Sequence, residues 1–211
     1  TPRPGSALKS TTVAPFFVVS PLGLVVAGLL LLRADAQVFD AINTPRLVAV
    51  THATVLGWLT LSIMGATYQL GPAGFWGGLL SVRLARLQLV VHVAALATFL
   101  IALDAWNVRL MGTGAICLVV SLALYFVNAV PAVRWFRSSS IPQRYVSVAL
   151  LFLGLAATLG ITFVGCLEHL WFPITQGRLS AHAHLGLVGW LAIMLRGVSY
   201  RLVPMFHISP A

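Results

Sequence analysis

The chain has 211 residues, of which 59% are hydrophobic and only 8% are charged. Soluble domains carry about 25% charged residues, so this composition disfavours a soluble enzyme, a disordered chain and a nucleic-acid-binding domain. The formal net charge of +9 comes from basic residues that are spread thinly between apolar segments, as in multispanning membrane proteins, and no nucleic-acid partner is expected.

Six segments are long and apolar enough to be membrane-spanning helices, which need about 20 predominantly apolar residues. In chain order, the predicted spans are 15–32, 47–70, 84–103, 110–133, 146–167 and 179–203. The connections contain Pro, Gly, Ser and Asn and are too short for a soluble domain. We therefore predict an all-α, polytopic membrane helix bundle in a lipid bilayer, with residues 1–211 forming a single integral membrane domain.

The charged residues divide between the two sides of the predicted membrane. One side carries eight basic residues and no acid, whereas all four acidic residues fall on the other side. These four are Asp35, Asp40, Asp104 and Glu168. By the positive-inside rule, we expect both termini, residues 1–14 and 205–211, to be cytoplasmic. The expected location is a bacterial or archaeal plasma membrane. The acidic side is then the outer side.

The second and sixth predicted spans share a sequence pattern. Both read His-x4-Gly-Trp-Leu-x5-Gly-x2-Tyr-x-Leu-x-Pro, starting at His52 and at His184, which are 132 residues apart. Self-similarity at a fixed offset indicates a repeated structural unit. The offset covers four spans, so both copies cross the membrane in the same direction. Each histidine follows an arginine, Arg46 or Arg178, by about 9 Å along a helix, and we predict that the two imidazoles face each other at matched depth.

Histidines inside membrane helices are costly and usually functional, and imidazole is a common axial ligand of heme. The repeated pair His52 and His184 therefore predicts a heme iron with two histidine ligands, although single histidines can also join helices by hydrogen bonds. His182 projects about 200° away from His184 around a helix, so the two cannot bind one face of one cofactor. His182 with His169 is a candidate second site, for heme or a metal ion. Arg46 and Arg178 are candidate partners of heme propionates, or ordinary boundary anchors.

Segment 181–190, Ala-His-Ala-His-Leu-Gly-Leu-Val-Gly-Trp, resembles a histidine-bearing helix of the catalytic subunit of heme-copper oxidases. The likeness is closest to cbb-type oxidases, nitric oxide reductases and NnrS proteins. The second span, from His52, resembles that family's second helix. Further positions that carry the likeness are Gly57, Tyr68, Tyr200 and Pro204. The resemblance implies that His52 and His184 would bind a low-spin heme b and that His182 would bind a neighbouring high-spin heme.

Two departures from that family narrow the expected function. The family has about twelve helices and a copper site that needs a His-His pair, and this sequence has neither, so copper is not expected. We expect an electron-transfer subunit with one heme b or two, rather than a catalyst alone. It would link a quinol pool, or a cytochrome on the outer face, to another subunit of a respiratory complex. The alternatives are a high-spin heme protein that binds oxygen or nitric oxide, and a transporter or assembly subunit without heme.

Overall fold

The computed structural model describes residues 10–41, 43–71, 79–129, 140–169 and 171–207. In these ranges there is no β-strand, and six helices are long and apolar enough to cross a membrane. They are α1 (Ser10–Leu32), α2 (Pro45–Leu70), α3 (Val82–Asp104), α4 (Val108–Ala129), α5 (Ile141–His169) and α6 (Gln176–His207). The predicted all-α bundle with six spans is confirmed, and it is consistent with an integral membrane protein in a lipid bilayer.

The helix ends differ from the predicted ones where polar or proline residues lie inside a helix. α1 starts at Ser10 and contains Pro15 and Pro21, which membrane helices tolerate because neighbouring groups satisfy the freed backbone carbonyls. α5 is 29 residues long and so extends beyond the predicted span at both ends. The predicted fourth span ran to residue 133, but residues 130–139 lie outside the described residues, as do 1–9 and 208–211.

Polar side chains cap the starts of three helices. In each case the side chain accepts a hydrogen bond from the backbone N–H three residues later, which satisfies a donor that has no partner inside the helix. These caps are Ser81 for α3, Asn107 for α4 and Thr175 for α6. The caps fix where each helix enters the bundle.

The helices follow one another around the bundle in chain order. α1 packs on α2, α3 on α4, α4 on α5 and α5 on α6, and α3 also packs on α2. α6 returns to the neighbourhood of α2, where the Trp190 indole N–H donates to the Thr60 hydroxyl at 3.1 Å. We call the end of the bundle that carries Asp35, Asp40, Asp104 and Glu168 the acidic end. α2 and α6 both start there.

Both α2 and α6 contain an eight-residue π-helical segment, Ala53–Thr60 and Leu185–Ala192. In a π-helix each N–H bonds to the carbonyl five residues earlier, and such segments are rare and frequently lie at functional sites. One segment starts directly after His52 and the other directly after His184, so they occupy equivalent positions in the two copies. The structure thus carries the repeat seen in the sequence.

The repeat extends to the helix that precedes each copy. In both copies an aromatic side chain of that preceding helix packs on a motif glycine, and its ring centroid lies 5.4 Å from that of the motif tyrosine. The two sets are Phe16, Gly65 and Tyr68, and Tyr145, Gly197 and Tyr200. Phe16 and Tyr145 are 129 residues apart, so the α1–α2 pair recurs as α5–α6 with a three-residue change in spacing.

Candidate functional site

His52 lies in α2, two turns from the acidic end, and is partly buried. Its Nδ1 donates to the Val48 carbonyl at 2.8 Å, and the ring meets the Phe99 ring of α3 edge to face at 5.4 Å. A carbonyl can only accept, so the neutral imidazole carries its proton on Nδ1 and its lone pair on Nε2. Among the described residues no group hydrogen-bonds to that Nε2. His52 therefore presents a free ligand atom.

His184 has the same local geometry in α6. Its Nδ1 donates to the Ser180 carbonyl at 2.7 Å, which is the repeat equivalent of the Val48 carbonyl. Its surroundings differ, because His184 is exposed on the outside of the bundle. No ring contact or hydrogen bond in the described ranges joins it to His52. The predicted facing of these two imidazoles is thus absent from this structure, although their local geometries match.

The histidine that faces His52 is His182. The two ring centroids are 6.1 Å apart and the ring planes differ by 22°. On its other side the His182 ring packs against α5, with the Phe163 ring at 5.8 Å and Gly160 beneath it. A Cβ on Gly160 would lie 3.0 Å from His182 Cε1, so the glycine makes room for the ring.

One nitrogen of His182 is buried without a hydrogen-bond partner in the described residues. This atom is Nδ1. The Ala156 carbonyl of α5 interacts with the ring but lies outside hydrogen-bond geometry to Nδ1. Because buried polar atoms are nearly always paired, an unpaired imidazole nitrogen here indicates a position where a further group or a small rotation completes the site.

Packing against α5 determines which histidine of α6 faces α2. Gly189 lies against the Phe152 ring and Gly197 against Tyr145, and these close contacts fix the rotation of α6. The helix face that carries His52 in α2 and His184 in α6 lies against α3 in the case of α2. In α6 it lies on the outside of the bundle, and His182 turns inward instead. The two motif glycines Gly57 and Gly189 thus serve helix packing.

The two arginines predicted near the site are engaged by local groups. The Arg46 Nε donates to Asp104 Oδ1 at 2.8 Å, which ties the start of α2 to the end of α3. Beside this ion pair is a surface cavity of about 230 Å³, lined by Asp35 and other residues of the acidic end. The Arg178 guanidinium lies 4.5 Å from the centroid of the Phe172 ring. Both arginines lie at the acidic end. Arg46 Nη1 also donates to the Arg33 carbonyl and Arg178 Nη1 to the Pro173 carbonyl, and the described residues leave further N–H groups of both side chains for an anionic ligand.

His169 is not brought to His182. Its ring stacks on Trp171 at 5.4 Å, and its Nε2 is 4.0 Å from a Glu168 carboxylate oxygen. Within the described ranges there is no cluster of three or more His, Cys, Asp and Glu side chains that could hold a metal ion. The structure therefore places the two members of the candidate second site apart.

His92 of α3 uses both of its ring nitrogens inside the bundle. It is fully buried, its Nδ1 lies 3.0 Å from the Ser121 hydroxyl, and its Nε2 lies 3.3 Å from the Leu56 carbonyl. The Ser121 hydroxyl also interacts with Gln88. His92 thus anchors the first π segment to α3 and α4. The four-residue spacing of Gln88 and His92 on an apolar helix is the sequence signal for this buried polar face.

The arrangement at the acidic end can hold a metal from two sides. A metal about 2 Å from a nitrogen of each of two imidazoles places the ring centroids roughly 6 Å apart, and His52 and His182 are 6.1 Å apart. Two imidazoles are a donor set that would bind an iron, but the rings are stacked in this structure, so a nitrogen of each would have to turn toward the metal. No protein-family model, curated protein or solved structure matches the chain, so the chemistry is inferred from its own residues.

Proposed function

We propose that this chain is a membrane heme b protein that transfers electrons, with the heme at the acidic end between α2 and α6. The observation that carries this proposal is the geometry of His52, which recurs locally at its repeat equivalent His184. Each commits Nδ1 to the carbonyl four residues earlier and so leaves Nε2 to bind iron. Hydrogen bonds from the second ring nitrogen to a carbonyl are typical of metal-ligating histidines.

The sequence repeat and the family resemblance favour His52 and His184 as the two axial ligands. Arg46 and Arg178 lie at the same end and would pair with the heme propionates. An iron with two histidine ligands has no open position, so the bound heme supplies one-electron chemistry without binding substrate. The protein's own part is to hold the two imidazoles and to keep water away from the ring with the apolar faces of α2 and α6.

The charge distribution suggests where the electrons enter and leave. By the positive-inside rule the acidic end is the outer end and both termini are cytoplasmic. The heme would then exchange electrons with a quinol pool or with a cytochrome on the outer face, and pass them to another subunit of a respiratory complex. A bacterial or archaeal plasma membrane is the corresponding location.

The test is the optical spectrum of the full chain purified from membranes. We expect a reduced-minus-oxidised difference spectrum of heme b, and about one heme per chain by the pyridine hemochrome assay. His52→Ala should abolish the low-spin signal, because His52 is a ligand whichever histidine of α6 is its partner. His207→Ala is the matched control, since that histidine is exposed at the far end of α6. A wild-type protein without heme, or an unchanged spectrum in His52→Ala, would refute the proposal.

A further inference from the structure

We infer that His182, and not His184, is the residue that completes the cofactor site with His52. The inference rests on the proposed function and names a ligand set that differs from the one favoured by the repeat. Its first support is distance, because the stacked rings of His52 and His182 have their centroids 6.1 Å apart, so a turn of the rings would point a nitrogen of each at a shared metal. That spacing is about what one metal between two imidazoles requires.

The second support is the rotation of α6. Residues two positions apart on a helix project about 200° apart, so only one of His182 and His184 can face α2. To bring His184 inward, α6 would have to turn by about half a revolution. That turn would pull Gly189 off the Phe152 ring and Gly197 off Tyr145, both of which are close contacts.

The third support is the packing of the His182 ring on Gly160 and Phe163 of α5. Gly160 lies directly beneath the ring, and Phe163 meets it edge to face. The buried Nδ1 of His182 has no partner in the described residues, and the Ala156 carbonyl lies near the ring. A small rotation that pairs Nδ1 with that carbonyl leaves Nε2 as the ligand atom, in the same manner as in His52. Gly160 is thus a positioning residue.

The first experiment compares His182→Ala with His184→Ala in the heme-loaded full chain. We expect His182→Ala to lose the low-spin spectrum, and any heme that remains to bind carbon monoxide at the vacated position. We expect His184→Ala to keep the wild-type spectrum and to show no spectral change on addition of carbon monoxide. The opposite result, with the spectrum lost in His184→Ala and kept in His182→Ala, would overturn the inference while leaving the proposed function intact.

A second experiment separates the inference from the proposed function. The heme-free full chain receives one equivalent of Cu²⁺ as a probe, because imidazole binds copper well, and electron paramagnetic resonance reports the coordinated nitrogens. We expect two imidazole nitrogens, one of them lost in His52→Ala and one in His182→Ala, with no change in His184→Ala. If wild-type protein lacks native heme yet gives this pattern, the proposed function fails and the pair stands. If neither substitution changes Cu²⁺ binding, the assignment of His52 and His182 as the ligand pair is wrong.

A third experiment tests the positioning role of Gly160. In Gly160→Ala the new methyl would lie 3.0 Å from His182 Cε1, so the ring must move by a few tenths of an ångström. We expect retained heme with a shifted reduction potential and shifted absorption bands. Gly154→Ala is the matched control on the same helix, because its methyl would make an ordinary contact of 3.8 Å with Phe126. Equal potentials in the two variants would contradict the positioning role.

Discussion

The histidines of this chain differ in how many ring nitrogens the protein itself uses. His92 lies near partners at both nitrogens, the Ser121 hydroxyl and the Leu56 carbonyl, so it joins three helices and has no lone pair to spare. His52 and His184 each use Nδ1 alone. The number of engaged nitrogens thus separates a structural histidine from candidate ligands, which composition and spacing could not do.

Replacing His92 with Phe should destabilise the protein without affecting the cofactor. The substitution keeps the volume but removes the hydrogen bonds of His92 with the Ser121 hydroxyl and the Leu56 carbonyl. Such a loss costs about 1–3 kcal/mol in a buried site, and contacts between membrane helices fall at the lower end of that range. Thermal unfolding in detergent measures the change. Loss of the heme signal at unchanged stability would instead show that His92 is a ligand.

Replacing Trp190 with Phe tests the contact between α2 and α6. Trp190 is buried and its indole N–H donates to the buried Thr60 hydroxyl. We expect a loss of about 1 kcal/mol in the free energy of unfolding. Trp171→Phe is the control, since that side chain is largely exposed and should change stability much less. Equal effects of the two substitutions would argue against this contact.

A motif glycine lets the two helices of each repeated pair pack closely. In the first pair, Gly23 of α1 lies directly against the backbone of the first π segment. In the second pair, the Phe152 ring of α5 occupies the equivalent place against Gly189. The same fold of two helices thus accepts a glycine in one copy and an aromatic ring in the other, because the motif glycine supplies the space in both.

Gly23→Ala should force α1 and α2 apart. The new Cβ would lie 2.6–2.7 Å from backbone atoms of Ala53, Gly57 and Trp58, and backbone cannot swing away as a side chain can. Overpacking of this kind costs about 1–3 kcal/mol. Gly28→Ala, in the same helix with nothing within 4 Å of its Cβ, should be neutral or slightly stabilising. Chemical or thermal unfolding of both variants gives the comparison, and an undisturbed Gly23→Ala protein would contradict the packing.

The sequence predicts much of this fold and part of the candidate site. Apolar length predicts all six spans, and the shared motif predicts that α2 and α6 are equivalent. The α1–α5 equivalence is hidden, because the identities at this offset are aliphatic, such as Leu22 with Leu151, whereas Phe16 corresponds to Tyr145. The π segments are also hidden, since hydrophobic periodicity does not report hydrogen-bond spacing. That His182 rather than His184 turns toward α2 depends on the rotation of α6 against α5, which only tertiary packing determines.

At the scale of the whole molecule, the two copies of the repeat have different environments. The motif tyrosine of the first copy, Tyr68, is 2% exposed, whereas Tyr200 in the second copy is 45% exposed. Arg196, the counterpart of the buried Met64, lies beside Tyr145 and Tyr200 on the surface of the bundle. The tyrosine hydroxyls give this intramembrane arginine polar neighbours toward the end of the bundle opposite the acidic end, which favours its reaching toward the membrane surface.

The proposed orientation can be tested with single cysteines in a chain whose Cys117 and Cys166 are replaced by Ala. Ala36 is exposed at the acidic end and Arg144 is exposed at the opposite end. A membrane-impermeant thiol reagent applied to intact cells should label Ala36→Cys and should reach Arg144→Cys only after permeabilisation. The reverse labelling pattern would place the acidic end in the cytoplasm.

Each π segment changes the rotation of the helix part before it relative to the helix part after it. Relative to an α-helix of the same length, such a segment accommodates about one extra residue and turns the part before it by roughly 100° against the part after it. The deeper parts of α2 and α6 are locked by glycines against aromatic rings, so they cannot turn. The azimuth of His52 and of the His182–His184 pair relative to the packing below is therefore set by the number of residues in each π segment. Gain or loss of a single residue in either segment would therefore turn a different side chain of the acidic end toward the interior of the bundle, while the packing of the deeper part stays the same.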